Sequence, residues 1–414
     1  MKRSRDGSIF GRREFLKRGV LAGVGVSILP LASAASASVE AAAPRIRRYS
    51  TLGRTGLKIS DISFGASQLT SGQEDLVRHA FDCGVNYFDS AETYTDGESE
   101  TTVGNALKGK RDKVFLTSKT IAQADDNRAS MMTALEGSLR RLQTDHVDVY
   151  FNHAVNDPAR LKNPEWNEFV AQARKQGKLR FTGMSGHAGN LAECLDYAID
   201  SGHYDVILCA HNFGQDPRFF QRFTRGFDFV ARQPELPRLM EKAKQHGVGV
   251  VVMKTLMGAR LNDMRPYESG GATFSQAAFR WVLSNQNVDA LIVSMTSQQM
   301  IDEYLGVSGA RATAASDLPL LNRYATINGD SQCRPACNEC ANACPFGVPI
   351  ADVLRTRMYA RDYGDLRFAR TEYAMLSSNA AACLTCDAKP CAGACPHGIA
   401  TDVLLAPTHR MLTA

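Results

Sequence analysis

The sequence holds no apolar run suited to crossing a bilayer. Val20 to Leu31 is short and diluted by Gly and Ala, well under the roughly 20 residues that a spanning helix needs. A basic stripe is also missing. Several positive charges lie in the first eighteen residues, and the rest of the chain, whose net charge is +5, is nearly balanced. Nucleic acid therefore finds no footprint. No glycine-rich dinucleotide fingerprint follows any predicted strand, which argues against a doubly wound open sheet. Cysteine is scarce through most of the chain. Only Cys83, Cys194 and Cys209 precede residue 330, and without ligand spacing they read as buried packing residues.

The other eight of the eleven cysteines stand between residues 333 and 395, a block that marks a separate module. Cys333, Cys337, Cys340 and Cys344 are followed by Pro345, and Cys383, Cys386, Cys391 and Cys395 by Pro396. Each group closes Cys-x-x-x-Cys-Pro and resembles a ferredoxin ligand run. Thiolates are soft donors suited to iron–sulfur clusters, and two [4Fe–4S] clusters are expected. Two structural zinc sites, disulfides formed after export, and a single cluster are the alternatives. In two-cluster ferredoxins the fourth cysteine serves the other cluster. By that analogy Cys333, Cys337, Cys340 and Cys395 hold one cluster, and Cys383, Cys386, Cys391 and Cys344 the other. Between the groups, Ile350 to Leu376 reads as helical, so the module resembles an α-helical ferredoxin.

The N-terminus reads as an address. Arg12-Arg13-Glu14-Phe15-Leu16-Lys17 precedes the short apolar run, and Ala35-Ser36-Ala37 is a cleavage site, with Ala32-Ser33-Ala34 the alternative. The paired arginines resemble a twin-arginine signal. That resemblance implies export by the Tat machinery to the periplasm or beyond, as a folded protein with cofactors already inserted and no membrane span after cleavage. A basic tail or an uncleaved anchor is the competing reading. The expected divisions are a signal peptide over 1–37, a linker over 38–46, a barrel over 47–325 and an iron–sulfur domain over 326–414.

The middle of the chain repeats one unit. A small hairpin is expected over Leu52 to Ile62. Strands are then expected at 62–65, 85–89, 114–118, 147–152, 180–185, 206–209, 248–253 and 290–294, each followed by a segment of helical spacing. Eight such units in about 260 residues match a closed (β/α)8 TIM barrel. The fold class is thus α/β, a barrel followed by a small, mainly helical ferredoxin-like domain. Three successive strand ends supply Asp89 with Tyr94, Lys119 and His153, on the face where barrel active sites sit. These types suit carbonyl reduction. Tyr94 is the acid, and an ordinary tyrosine pKa of about 10 is too high for that task near neutrality. A neighbouring Lys119 ammonium is expected to lower it, Asp89 to hold Lys119, and His153 to orient the substrate oxygen or assist protonation.

At Phe88-Asp89-Ser90-Ala91-Glu92-Thr93-Tyr94, Gly97-Glu98-Ser99-Glu100 and Val103-Gly104-Asn105-Ala106-Leu107 the chain resembles the aldo-keto reductase family. The resemblance covers about residues 47 to 310. It implies NADP(H) or NAD(H) bound without a Rossmann fold. It also implies that Ser185 holds the carboxamide and that the segment Ser294-Met295-Thr296-Ser297-Gln298 binds phosphate, through Ser294, Thr296, Ser297 and the helix N-terminus. Leu208 replaces the family's strand-six glutamine, the family's nicotinamide-stacking tyrosine falls near Met253 or Lys254, and no basic residue stands at 294–298 to grip a 2′-phosphate. The combination resembles the subgroup carrying a ferredoxin-type C-terminal domain. It implies an exported oxidoreductase acting on a small carbonyl or alcohol and exchanging electrons with a redox partner protein. The alternative is an electron-transfer or docking protein whose barrel is a scaffold.

Overall fold

The computed structural model describes residues 44–187, 190–215, 235–256, 264–268, 273–328, 333, 337–361 and 365–414. The expected signal peptide lies outside the described residues. Residues 44–414 form one compact unit. No described helix is long and apolar enough to cross a membrane.

Eight parallel strands close a barrel: β3 (Ile62–Gly65), β4 (Tyr87–Asp89), β5 (Phe115–Thr120), β6 (Val147–Asn152), β7 (Leu179–Gly186), β8 (Val206–Ala210), β9 (Gly249–Met253) and β10 (Ala290–Ser294). Closure is made by β10 against β3, from Leu291 opposite Ile62 to Ser294 opposite Gly65. The strands face core on both sides, so they read as unbroken apolar runs such as Val206-Ile207-Leu208-Cys209-Ala210. Polar caps start several of the return helices. Asn127 accepts from the backbone N–H of Ala129 and Ser130, Asn163 from Glu165, and Ser297 from Met300.

The floor of the barrel is a hairpin of β1 (Tyr49–Thr51) and β2 (Lys58–Ser60). It lies slightly earlier than the expected span of Leu52 to Ile62, because Ile62 already belongs to the barrel, paired with Leu291. Leu52, Leu57 and Ile59 pack with Tyr87, Val149, Val206 and Val251 inside the barrel. Gly53 is required here. Its φ is +46°, and a Cβ would stand 2.3 Å from the Gly249 nitrogen.

Beyond the barrel, helix Asp317–Asn328 packs beside helix Phe274–Leu283, with Arg280 donating to Asp317 at 2.6 and 2.8 Å and the rings of Phe274 and Tyr324 stacked at 4.3 Å. The expected helical stretch from Ile350 to Leu376 is described as two helices, Ile350–Arg361 and Leu366–Ala374. Asp365 accepts from the Phe368 nitrogen and starts the second afresh. Helix Thr401–Thr413 completes a small core with Val348, Ile350, Val353, Tyr373, Ile399, Leu405 and Leu412. This C-terminal domain is tied to the barrel mouth. Asn156 donates to Asp352 at 2.9 Å, and Arg367 pairs with Asp96.

Candidate active site

The upper end of β4 places Asp89, and the loop after it ends in a tight turn over Tyr94–Gly97. Thr95 and Asp96 take positive φ values of 46° and 53° there, a strain that non-glycine residues accept mainly where surrounding structure enforces it. Thr95 supplies that enforcement: its hydroxyl donates to the Leu69 carbonyl at 2.7 Å and accepts from the Ser99 N–H at 3.0 Å. Lys119, near the end of β5, is buried, and its three N–H groups are all used. They donate to Asp89 Oδ2 at 2.7 Å, to the Ser90 carbonyl at 2.7 Å and to the Tyr94 hydroxyl at 3.1 Å. Thr117 donates to the other Asp89 oxygen at 2.8 Å. His153 follows β6 directly, with its ring edge-on to Tyr94 at 5.6 Å. Arg160 holds the loop behind it through the carbonyls of Ala122, Ala154 and His153 and the side chain of Asn152. The four expected residues are therefore one connected group.

Their electrostatics differ from expectation in one respect. Burial raises the Tyr94 pKa above its ordinary value of 10, Asp89 reinforces the rise, and Lys119 only partly opposes it. The expected lowering by Lys119 is present as a contribution but is outweighed by desolvation. Burial alone would lower Lys119, yet Asp89 and Tyr94 bring it above the usual ammonium value. Burial, with Lys119, Arg160 and Lys254, holds His153 well below the usual imidazole range. Tyr94 is thus a neutral phenol and His153 a neutral imidazole at neutral pH.

A cavity of about 360 Å³ opens over this group, within the range of small-molecule sites. Asp89, Tyr94, Lys119, His153, Ser185, Ser294 and Thr296 all line it. Ser185 Oγ accepts from the Ala154 N–H at 3.0 Å, and Ser294 Oγ shares a hydrogen bond with Ser67 Oγ at 2.8 Å. Ser297 is outside the lining and caps helix Gln298–Leu305. Leu208, Met253 and Lys254 line the cavity too.

Tyr359, Asp365 and Phe368 of the C-terminal domain also line it, a contribution that sequence reasoning missed. Phe368 meets the Tyr94 ring at 6.4 Å and the Tyr359 ring at 4.7 Å. Tyr359 Oη accepts from Lys254 Nζ at 3.0 Å and shares a hydrogen bond with His187 Nε2 at 2.7 Å. Tyr359 and His187 are 172 residues apart in the chain, so no local pattern carries the signal.

The cysteines of the C-terminal domain fall into two sets. Cys344, Cys383, Cys386 and Cys391 line one cavity of about 250 Å³. Burial pushes the Cys340 thiol up to about 12, reinforced by Cys333, Cys395 and Cys337 beside it. Arg355 donates to the Cys337 carbonyl. All eight thiols are free of disulfide bonds.

A tyrosine, lysine, aspartate and histidine gathered at the mouth of a closed barrel leave the family to be settled by comparison, and the profile of the "Aldo/keto reductase family" matches residues 61–270. The chain belongs to the aldo/keto reductase family. Its curated relatives include L-galactose dehydrogenase of Arabidopsis thaliana, 25% identical over 287 residues, 61% of this chain and 85% of the relative. Methylglyoxal reductase of Escherichia coli is 30% identical over 223 residues, 52% of this chain and 72% of the relative. An aldo-keto reductase of Klebsiella pneumoniae solved with NADPH is 25% identical, with a TM-score of 0.52 over 67% of this chain and 94% of that one. The barrel of this aldo/keto reductase is therefore an oxidoreductase barrel.

Proposed function

We propose that this aldo/keto reductase is an exported enzyme that interconverts small carbonyl compounds and alcohols with NADP(H) or NAD(H), and that two C-terminal [4Fe–4S] clusters exchange its electrons with a redox partner protein. The observation that carries the reductase reading is the hydrogen bond from Lys119 to the Tyr94 hydroxyl, with Asp89 behind it and His153 beside it in one cavity. Bound nicotinamide would supply the hydride. Tyr94, neutral and donating, passes its proton to the substrate oxygen. Lys119 stabilises the phenolate left behind, and Asp89 keeps Lys119 in place. His153, neutral, orients the carbonyl.

The residues present suit the cofactors. Ser185, Ser294 and Thr296 face the cavity as hydroxyl partners for a nucleotide, and the N-terminus of helix Gln298–Leu305 lies next to them. The NADPH bound to the Klebsiella pneumoniae relative supports a nicotinamide ligand. Four thiols around one cavity, and a second set in which Cys333, Cys395 and Cys337 stand near enough to Cys340 to raise its pKa, suit two clusters that share the chain in the crossed pattern. The paired arginines at 12–13 support Tat export to the periplasm.

Turnover of a panel of small aldehydes and ketones by wild type and Tyr94→Phe, with iron and sulfide assayed in both, tests this reading. Removing the acid should lower kcat by about 10²–10⁴-fold at unchanged cluster content. Undiminished turnover in Tyr94→Phe would refute the role of Tyr94, and absence of turnover in wild type across the panel would favour a barrel that serves as a scaffold.

A further inference from the structure

Among the described residues, two lysines line the cavity. Lys119 is committed to Asp89, Ser90 and Tyr94. Lys254 stands one residue beyond β9, with a φ of 57°, a left-handed backbone that costs a lysine free energy and recurs at ligand clamps. Its ammonium donates to the Tyr359 hydroxyl at 3.0 Å and lies 4.4 Å from the centre of that ring. The hydroxyl is fixed from the other side by His187 at 2.7 Å. A polar point built from β9, the loop after β7 and helix Ile350–Arg361 thus sits in a cavity whose lining also includes Leu208, Met253, Leu256 and Ile292.

Burial lowers the Lys254 pKa to about 7, with Glu372 opposing the fall and Arg355 adding to it. Glu372 is itself shared with Arg160, and the Lys254 side chain stands in the cavity lining.

We propose that Lys254 and Tyr359 form a substrate anchor built across the barrel and the C-terminal domain, which takes the carboxylate of a small oxo acid while Tyr94 and His153 take its carbonyl oxygen. This rests on the reductase reading for the second contact only. β9 and β4 are separated by β10 and β3 around the barrel, so the two anchors approach one substrate from different sides of the mouth. The C-terminal domain is then part of the substrate site, in addition to any role in electron transfer.

The test uses the full chain with its clusters and two probes, pyruvate and the neutral butane-2,3-dione. The ratio of their kcat/KM values is measured together with equilibrium binding of pyruvate. Lys254→Met should lower the ratio, pyruvate over dione, by at least about tenfold, as expected for loss of a charge-assisted contact. Tyr359→Phe should lower it less, because the ring remains. A ratio unchanged in Lys254→Met overturns the anchor. So does a weaker affinity for NADPH at an unchanged ratio, which would put Lys254 on a nucleotide phosphate. If neither probe is turned over but pyruvate binds wild type and loses affinity in Lys254→Met, the anchor stands and the reductase reading falls. If the dione is turned over while pyruvate neither binds nor reacts, the anchor falls and the reductase reading stands.

Discussion

At the scale of single residues, the site holds two kinds of titrating group. His153 is kept neutral by burial and by the cations around it, so no acid limb from an ordinary imidazole should cross the activity profile between pH 6 and 7. As the proposed acid, Tyr94 must be protonated to reduce a carbonyl. Its pKa is raised from 10, so the reduction rate should survive to about pH 10 and fall beyond it. Lys254 and Glu372 both sit at about 7, and an inflection near neutrality belongs to them. The sign is fixed by the partner. In Glu372→Gln, Lys254 loses the carboxylate that favours its charged form, so the inflection should move to lower pH. A profile of kcat/KM against pH for the variant checks this, and a shift to higher pH would contradict it. Asp89, Tyr94, Lys119 and His153 were legible in the sequence because each ends or follows a strand whose apolar run is itself visible. Lys254 was legible only as a position, since its strained backbone and its partner on another domain leave no local trace. The direction of the Tyr94 shift was misread because the charge of Lys119 can be inferred from sequence and the depth of burial cannot.

At the scale of elements, the strand–helix repeat was readable nearly throughout, since parallel strands buried on both faces give continuous apolar runs. Boundaries moved by a residue or two, as at β5, which runs on to Thr120. Helix Asp317–Asn328 was not foreseen, and it is held by contacts to helix Phe274–Leu283 such as Arg280 with Asp317. The cysteine runs present the clearest test at this scale. Cys344 belongs to the first run in sequence but shares its cavity with Cys383, Cys386 and Cys391. Replacing Cys344 with Ser should therefore remove the cluster of the second set and spare that of Cys333, Cys337, Cys340 and Cys395. Iron and sulfide should fall to about half of the eight-iron content expected for two [4Fe–4S] clusters. Spectroscopy of Cys344→Ser and Cys386→Ser proteins should then show the same surviving cluster. Different survivors in the two variants would refute the crossed assignment.

At the scale of the whole molecule, the barrel and the C-terminal domain meet at the substrate cavity itself. Phe368 touches Tyr94, and Tyr359 bridges Lys254 and His187. The same helix that carries Tyr359 carries Arg355, one turn earlier, which donates to the Cys337 carbonyl. One helix thus runs from Cys337 to the cavity, and under the proposed function it is a short link between two-electron chemistry in the barrel and one-electron chemistry at the proposed clusters. The measurement that bears most directly on this account is a titration of anaerobically purified protein, clusters in place, with NADPH and with NADH, following nucleotide binding and cluster absorbance together. The account predicts that one nucleotide binds and bleaches the clusters. Clusters that stay oxidised with nucleotide bound, or failure of both nucleotides to bind protein free of co-purified nucleotide, would contradict it.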